Sequence, residues 1–337
     1  MLAEMNLPFE LSAIAVIIGL LVGAAYGALA ERSKFCLRRA LAGVGIDRQG
    51  AFSVWIAGFA SAMIGTQLLI AIGIIDLSVH RLMSDDIPFL GAILGGLIFG
   101  TGMILTRGCI SRLTVLTGTG NLRAILVVVI FGLVANATLK GVFAPLRVIV
   151  SDPKITLSSG TFSNIVSPWL WCAIAAIIAV VFISRNPHHP SRIVMGALIG
   201  LIVPLCWYVV SVVLFDEFDP KPIEGLSFTL PHADLSFWFT AATAIPANFG
   251  IGLILGVMAG ALISALTGGR FEWQSFETPR QTGRYALGAL MMGFGGVLAG
   301  GCSVGAGLAG MAMQSFAALL ALGSIMIAGF IAGKLFP

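Results

Sequence analysis

Nine apolar stretches, most of them about the length of a bilayer-crossing helix, run through the chain. They lie at about 11–30, 51–75, 89–106, 124–146, 168–184, 193–215, 241–266, 284–299 and 315–335. A helix needs roughly 20 apolar residues to cross a bilayer core. Charged residues make up only 10% of the 337, against about 25% in an ordinary soluble domain. A water-facing surface cannot be built from so little charge, and the mean hydropathy of +1.01 agrees. The expected fold is an all-α integral membrane protein, one transmembrane domain over residues 1–337. The first ten residues carry Glu4 and Glu10 but no Lys or Arg. A signal peptide needs a basic start, so the first stretch reads as a retained span. The eighth stretch is short and reads as a helix that stops partway. The acidic, Pro-containing gap at about 216–240 reads as a loop.

Several function classes are excluded at this level. The net charge is only +4 and forms no basic stripe, which argues against a nucleic-acid partner. Five cysteines make no CxxC pair, and His80, His188, His189 and His232 make no zinc signature. No GxGxxG follows a βαβ pattern and no Walker A sequence is present. No cofactor, no metal and no enzymatic activity are expected. With nine spans, 14 of the 19 Lys and Arg fall in alternate loops on one side. Cytoplasmic loops collect such residues, so the N-terminus is expected outside and the C-terminus in the cytoplasm.

An internal repeat marks a candidate site. Residues 95–111, GGLIFGTGMILTRGCIS, align with 288–304, GALMMGFGGVLAGGCSV, at a constant offset of 193. The shared positions include Gly95/Gly288, Gly102/Gly295, Gly108/Gly301 and Cys109/Cys302. The two copies follow spans of opposite direction. That is the inverted-repeat pattern of secondary transporters, whose sites lie near the midplane on broken helices. The halves are expected at about 11–146 and 193–335, joined by a linker span at about 168–184. Both Gly-Cys loops are expected to dip into the membrane and approach one another. A second similarity, GLLVGAAYGAL (19–29) with GLILGVMAGAL (252–262), has another offset and reads as small-residue helix packing.

The chemistry follows from the residue types. Gly108 and Gly301 allow tight turns or close approach to a ligand. Helix N-termini after the loops would present free N–H groups, which bind anions. Arg107 and Arg112 flank the first loop, and Ser303 adjoins Cys302. Cys36 lies among Arg32, Lys34, Arg38 and Arg39. A thiol is a weak donor and acceptor, a poor match for hard sulfate or phosphate but suited to soft sulfur. An anion with a soft sulfur end, thiosulfate, satisfies both features. The thiols would stay neutral, because a thiolate repels a dianion. The candidate substrate-binding residues are therefore Cys36, Cys109, Cys302, Gly108, Gly301, Ser303, Arg107 and Arg112.

TRGCISR followed by LTVLTGTGNLRA, the late GGCSVGAG and a cysteine after the first span together resemble the YeeE/YedE family of bacterial membrane proteins. The resemblance covers essentially the whole chain. Its best-understood members are thiosulfate uptake transporters of the TsuA type. It implies an hourglass-shaped bundle of nine membrane helices with short helices plunging inward. It also implies three essential cysteines, here Cys36, Cys109 and Cys302, that pass thiosulfate along by S–H···S contacts. A separate cytoplasmic sulfur-carrier protein of the TusA type is the implied partner, and the bacterial inner membrane the implied location. The alternatives are a sulfane-sulfur relay that forms a persulfide and a membrane sensor of sulfur or selenium anions.

Overall fold

The computed structural model describes residues 11–186, 189–215 and 223–336. Glu4, Glu10, His188 and the acidic run at 216–222 lie outside these residues. The described chain is helical apart from one two-stranded ribbon, Asp86–Ile87 paired with Ile155–Thr156. Among the described residues, nine long helices correspond one for one to the nine apolar stretches. They are α1 (Leu11–Ser33), α3 (Gly45–Ala71), α4 (Phe89–Leu105), α6 (Leu122–Lys140), α8 (Pro168–Arg185), α9 (Pro190–Tyr208), α11 (Phe249–Thr267), α12 (Pro279–Leu298) and α13 (Phe316–Leu335). Between them lie α2 (Leu37–Ala42), α5 (Ile110–Gly118), α7 (Ala144–Ser151) and α10 (Thr229–Ala241).

Among the described residues, eight segments are long and apolar enough to cross a membrane. The protein is an all-α, multi-pass membrane protein. Large apolar side chains stand exposed along these helices, among them Leu21 at 64%, Ile177 at 62% and Val180 at 66%. Lipid is the solvent that such faces require.

Glycine stripes set how the helices pack. A Cβ on Gly19, Gly23 or Gly27 of α1 would strike the carbonyls of Phe249, Leu253 or Val257. A Cβ on Gly252, Gly256 or Gly260 of α11 would strike those of Val16, Leu20 or Ala24. The two helices run parallel, and each stripe seats the other. This is the small-residue packing read from 19–29 and 252–262. The α4–α12 pair is antiparallel. A Cβ on Gly102 would lie 2.6 Å from the Gly288 carbonyl oxygen, and one on Gly295 would lie 2.7 Å from the Gly95 carbonyl oxygen. The offset of 193 exchanges these two contacts, as a local two-fold axis requires.

Two sequence expectations are corrected. The eighth helix is longer than its apolar stretch: α12 spans 20 residues and begins at Pro279, though it is not among the segments apolar enough to cross a membrane. Its first turn carries Arg280 and polar neighbours, which kept residues 279–283 out of the apolar stretch. The 216–240 gap is not simply a loop. Its second half forms α10, which buries Thr229, Pro231, His232, Ala233 and Leu235. Helix α10 packs on α6 and α11, so tertiary contacts rather than lipid cover it.

The two ends of the bundle differ in charge. At one, Arg270 pairs with Glu31 at 2.7 Å and Arg123 with Glu277 at 3.0 Å. Arg107, Arg280 and Arg284 share a surface pocket there, and Arg39 pairs with Asp47. This is the basic end. His80, Arg81 and Glu224 lie at the other.

Candidate functional site

Each of three cysteines follows the same local construction. A helix ends, a residue takes the left-handed conformation, and a cysteine follows two positions later. The left-handed residues are Lys34 (φ 55°), Arg107 (φ 58°) and Gly300 (φ 73°), ahead of Cys36, Cys109 and Cys302. A short helical segment then begins: α2, α5 and a π-helical turn at Gly305–Gly310. Each thiol faces the backbone N–H three residues on, that of Arg39, Arg112 and Gly305. For Cys302 the bond is closed, Gly305 N to Sγ at 3.3 Å. Helix starts leave such N–H groups unpaired; Cys36 and Cys109 occupy the N-cap positions of α2 and α5 without closing a side-chain cap hydrogen bond. The expectation for Gly108 and Gly301 is thus displaced by one residue. The sharp turns fall at Arg107 and Gly300, which the repeat offset pairs. Gly301 serves close approach instead, since a Cβ there would lie 2.7 Å from Ala306 N. Gly108 gives its carbonyl to Thr106 Oγ1 at 3.0 Å.

The three turns converge. α1 and α4 run toward the basic end before Cys36 and Cys109, whereas α12 runs away from it before Cys302. The loops therefore meet from opposite ends of the bundle. The Cys36 and Cys109 side chains are adjacent. Cys109 Sγ contacts Ser111 Oγ at 3.2 Å. Ser303 Oγ is buried without a hydrogen-bond partner and lies beside the Cys109 thiol. Cys36, Cys109 and Cys302 are 4%, 1% and 0% exposed, and all are free thiols. Arg112 interacts electrostatically with Cys36 and Cys109 and donates from Nη1 to the Ala30 carbonyl at 3.0 Å. Of the eight sequence candidates, Arg107 alone lies apart. Its side chain is exposed in the surface pocket with Glu277, Arg280 and Phe336.

Sequence reasoning missed two members of the cluster. Tyr26, on α1, is 1% exposed. Its ring lies 5.2 Å from that of Phe228, and its hydroxyl lies beside Ser111 and close to all three thiols. His232, on α10, ties the two loops together. Its Nδ1 is 2.6 Å from the Phe228 carbonyl. A carbonyl only accepts, so Nδ1 carries the proton. In the neutral ring Nε2 then accepts from Thr114 Oγ1 at 3.1 Å. Thr114 stands on α5, which starts directly after Cys109, and the Phe228 backbone also contacts Cys302. The remaining cysteines do other work. Cys172 packs with Ile56, Ala60 and Met63, and Cys206 is buried in the main core.

A buried cluster of three thiols, one phenol, two serine hydroxyls and one guanidinium suits an anion with both soft and oxygen-bearing ends. Comparison with known proteins points the same way. The chain is 25% identical over 326 residues to "Thiosulfate transporter TsuA" of Escherichia coli, covering 89% of each chain. It is 26% identical over 322 residues to "Thiosulfate transporter TsuA" of Spirochaeta thermophila, covering 90% of this chain and 93% of that one. The family model described as Sulphur transport matches residues 32–331, nearly the whole chain, and the protein belongs to that family.

Proposed function

We propose that this protein takes up thiosulfate across the bacterial cytoplasmic membrane. Its N-terminus would be outside and its basic end and C-terminus cytoplasmic, as the bias of Lys and Arg favours. The observation that carries the reading is the convergence of Cys36, Cys109 and Cys302 on one buried point from opposite ends of the bundle. The terminal sulfur of the anion is a soft acceptor, and neutral S–H groups donate to it without charge repulsion. The oxygens are left to Tyr26, Ser111, Ser303 and the Arg112 guanidinium. Hydrogen bonds to a charged acceptor are worth about 1.5–3 kcal/mol each, enough to offset part of the cost of drying the anion. The two-fold exchange of α4–α12 contacts supports inverted halves at about 11–146 and 193–335. A cytoplasmic sulfur carrier of the TusA type would receive the anion at the basic end.

Purified protein in liposomes is expected to accumulate labelled thiosulfate, and a tenfold excess of sulfate is expected not to block transport at saturation. Binding without accumulation would instead support a sensor. A gain of one sulfur atom in the mass of the intact protein after exposure would support a persulfide relay.

Arg107 is expected to be dispensable for transport. Its guanidinium lies away from the thiols, and its left-handed backbone is strained for a residue with a Cβ. Arg107→Gly is expected to keep uptake within twofold of wild type and to gain about 1 kcal/mol of stability, read as a higher melting temperature in detergent. Uptake below half of wild type would return Arg107 to the path.

A further inference from the structure

At the basic end, neighbouring helices turn from apolar to cationic at one level. The apolar run of α4 ends at Leu105, and Arg107 follows two residues later. α12 enters through Pro279–Arg284, PRQTGR, and is mostly apolar from Tyr285 on. The antiparallel seating of α4 on α12 sets the two changes at one height. A Cβ on Gly288 would lie 2.7 Å from Thr106 Cγ2 and 2.9 Å from Leu105 Cβ. Arg107, Arg280 and Arg284 share a cavity of about 570 Å³, and Leu105, Leu287 and Phe336 form its apolar side. Leu287 and Leu290 of α12 are exposed, so the cavity opens toward a lipid-facing flank.

The three cations have no counter-ion of their own. Among the described residues, Arg107 and Arg280 have no hydrogen-bond or ion-pair partner. Arg284 donates from Nη2 to the Phe336 carbonyl at 3.4 Å, and its Nε is buried without a partner. Glu277 lines the same cavity but pairs with Arg123 at 3.0 Å. Elsewhere at this end Arg39 and Arg270 hold the carboxylates of Asp47 and Glu31. Unpaired like charges in one cavity repel one another, and a native fold keeps few buried donors without a partner. Both features call for an anion held across the three guanidiniums.

We propose that this cavity binds the headgroup of an anionic phospholipid, its phosphate held by Arg107, Arg280 and Arg284 and its acyl chains laid along Leu287 and Leu290. Guanidinium forks match phosphate oxygens in bidentate fashion, and basic pockets between membrane helices hold such headgroups. The level of the cluster favours a lipid over a water-soluble anion. A phospholipid joins its phosphate to its chains across the same polar-to-apolar boundary that α12 crosses between Arg284 and Tyr285. The site does not touch the thiols, and the inference does not depend on which anion the protein carries. The bound lipid ties the end of α4 to the start of α12 and so braces the turn that leads to Cys109.

The test follows thermal unfolding of the purified protein in detergent as dioleoyl phosphatidylglycerol or dioleoyl phosphatidylcholine is added. Lipid retained through purification is counted by mass spectrometry. Phosphatidylglycerol is expected to raise the melting temperature saturably, and phosphatidylcholine to leave it unchanged. Arg280→Gln with Arg284→Gln is expected to raise the half-saturating phosphatidylglycerol concentration roughly 25-fold, about fivefold for each cation removed. Arg280→Lys with Arg284→Lys keeps the charge but loses the fork, and is expected to fall between. Arg185, an exposed cation in the last turn of α8, lies outside the cavity, and Arg185→Gln is expected to behave as wild type. Equal half-saturation in wild type and the Gln pair would overturn the site. An equal loss in Arg185→Gln would overturn it too, by showing a diffuse attraction to surface charge. Equal stabilisation by inorganic phosphate at the same concentration would overturn the lipid as occupant. So would binding of a purified TusA-type carrier that needs Arg280 and Arg284 while phosphatidylglycerol has no effect, which would give this face to the carrier.

Discussion

Cys109→Ala is expected to reduce thiosulfate uptake to a tenth of wild type or less while the protein still inserts and purifies. The thiol stands where the two loops meet, adjacent to Cys36, 3.2 Å from Ser111 Oγ and beside Ser303. Alanine keeps the backbone and removes one heavy atom. The structural cost is therefore about 1 kcal/mol, that of a small cavity, and the fold survives it. The functional cost is larger, because the hydroxyls of Ser111, Ser303 and Tyr26 beside it are harder donors than a thiol and match the anion's oxygens rather than its soft sulfur. Losing one charge-assisted hydrogen bond of about 1.5–3 kcal/mol slows passage roughly 10- to 100-fold. Cys302→Ala and Cys36→Ala are expected to behave likewise, each breaking one step of the same chain of thiols. Cys206→Ala and Cys172→Ala serve as controls, since both pack among apolar side chains, and are expected to transport normally. Wild-type uptake by Cys109→Ala and Cys302→Ala together would remove the thiol mechanism and leave hydroxyls, amides and Arg112 to carry the anion.

Much of this architecture was legible along the chain because lipid imposes a simple rule. Every crossing helix needs an apolar run, so the eight segments that have one stand out, with α12 legible as a ninth, shorter stretch. Helix α10 did not stand out. Its sequence, TLPHADLSFWFTA, mixes Pro231, His232 and Asp234 with apolar residues, because α6 and α11 rather than lipid bury it. Cys109 and Cys302 were legible through the repeat, and the same alignment already set Arg107 opposite Gly300. Only the backbone reveals that both take the left-handed turn, and that Lys34 makes a third before Cys36. Tyr26 was hidden for the opposite reason. It lies inside the small-residue stripe of α1, where nothing in one dimension separates a phenol facing a site from one facing a neighbouring helix.

The largest structural effect is expected where α1 and α11 interleave. Gly23→Val places a branched side chain against the Leu253 carbonyl, and Gly256→Val does the same against that of Leu20. The opposing atoms are backbone, which cannot swing aside as a flexible side chain could. Relief requires the two helices to separate by an ångström or more along their whole shared stripe. Overpacking of a tight core costs about 1–3 kcal/mol when side chains yield, so a rigid contact of this kind belongs at or above the upper end. Either variant is expected to lower the melting temperature in detergent sharply, and the pair together to prevent purification of folded protein. Separation of α1 also moves Tyr26 and the turn that leads to Cys36, so uptake falls with stability. Gly323→Ala provides the contrast. It sits within α13, and a Cβ there meets nothing within 4 Å. Removing a mid-helix glycine from open space is expected to stabilise by about 0.5–1 kcal/mol, with uptake unchanged. If Gly23→Val melted at or above the wild-type temperature, as Gly323→Ala is expected to, the glycines would be acting through helix propensity alone, and the interleaved stripe would not be what holds α1 against α11.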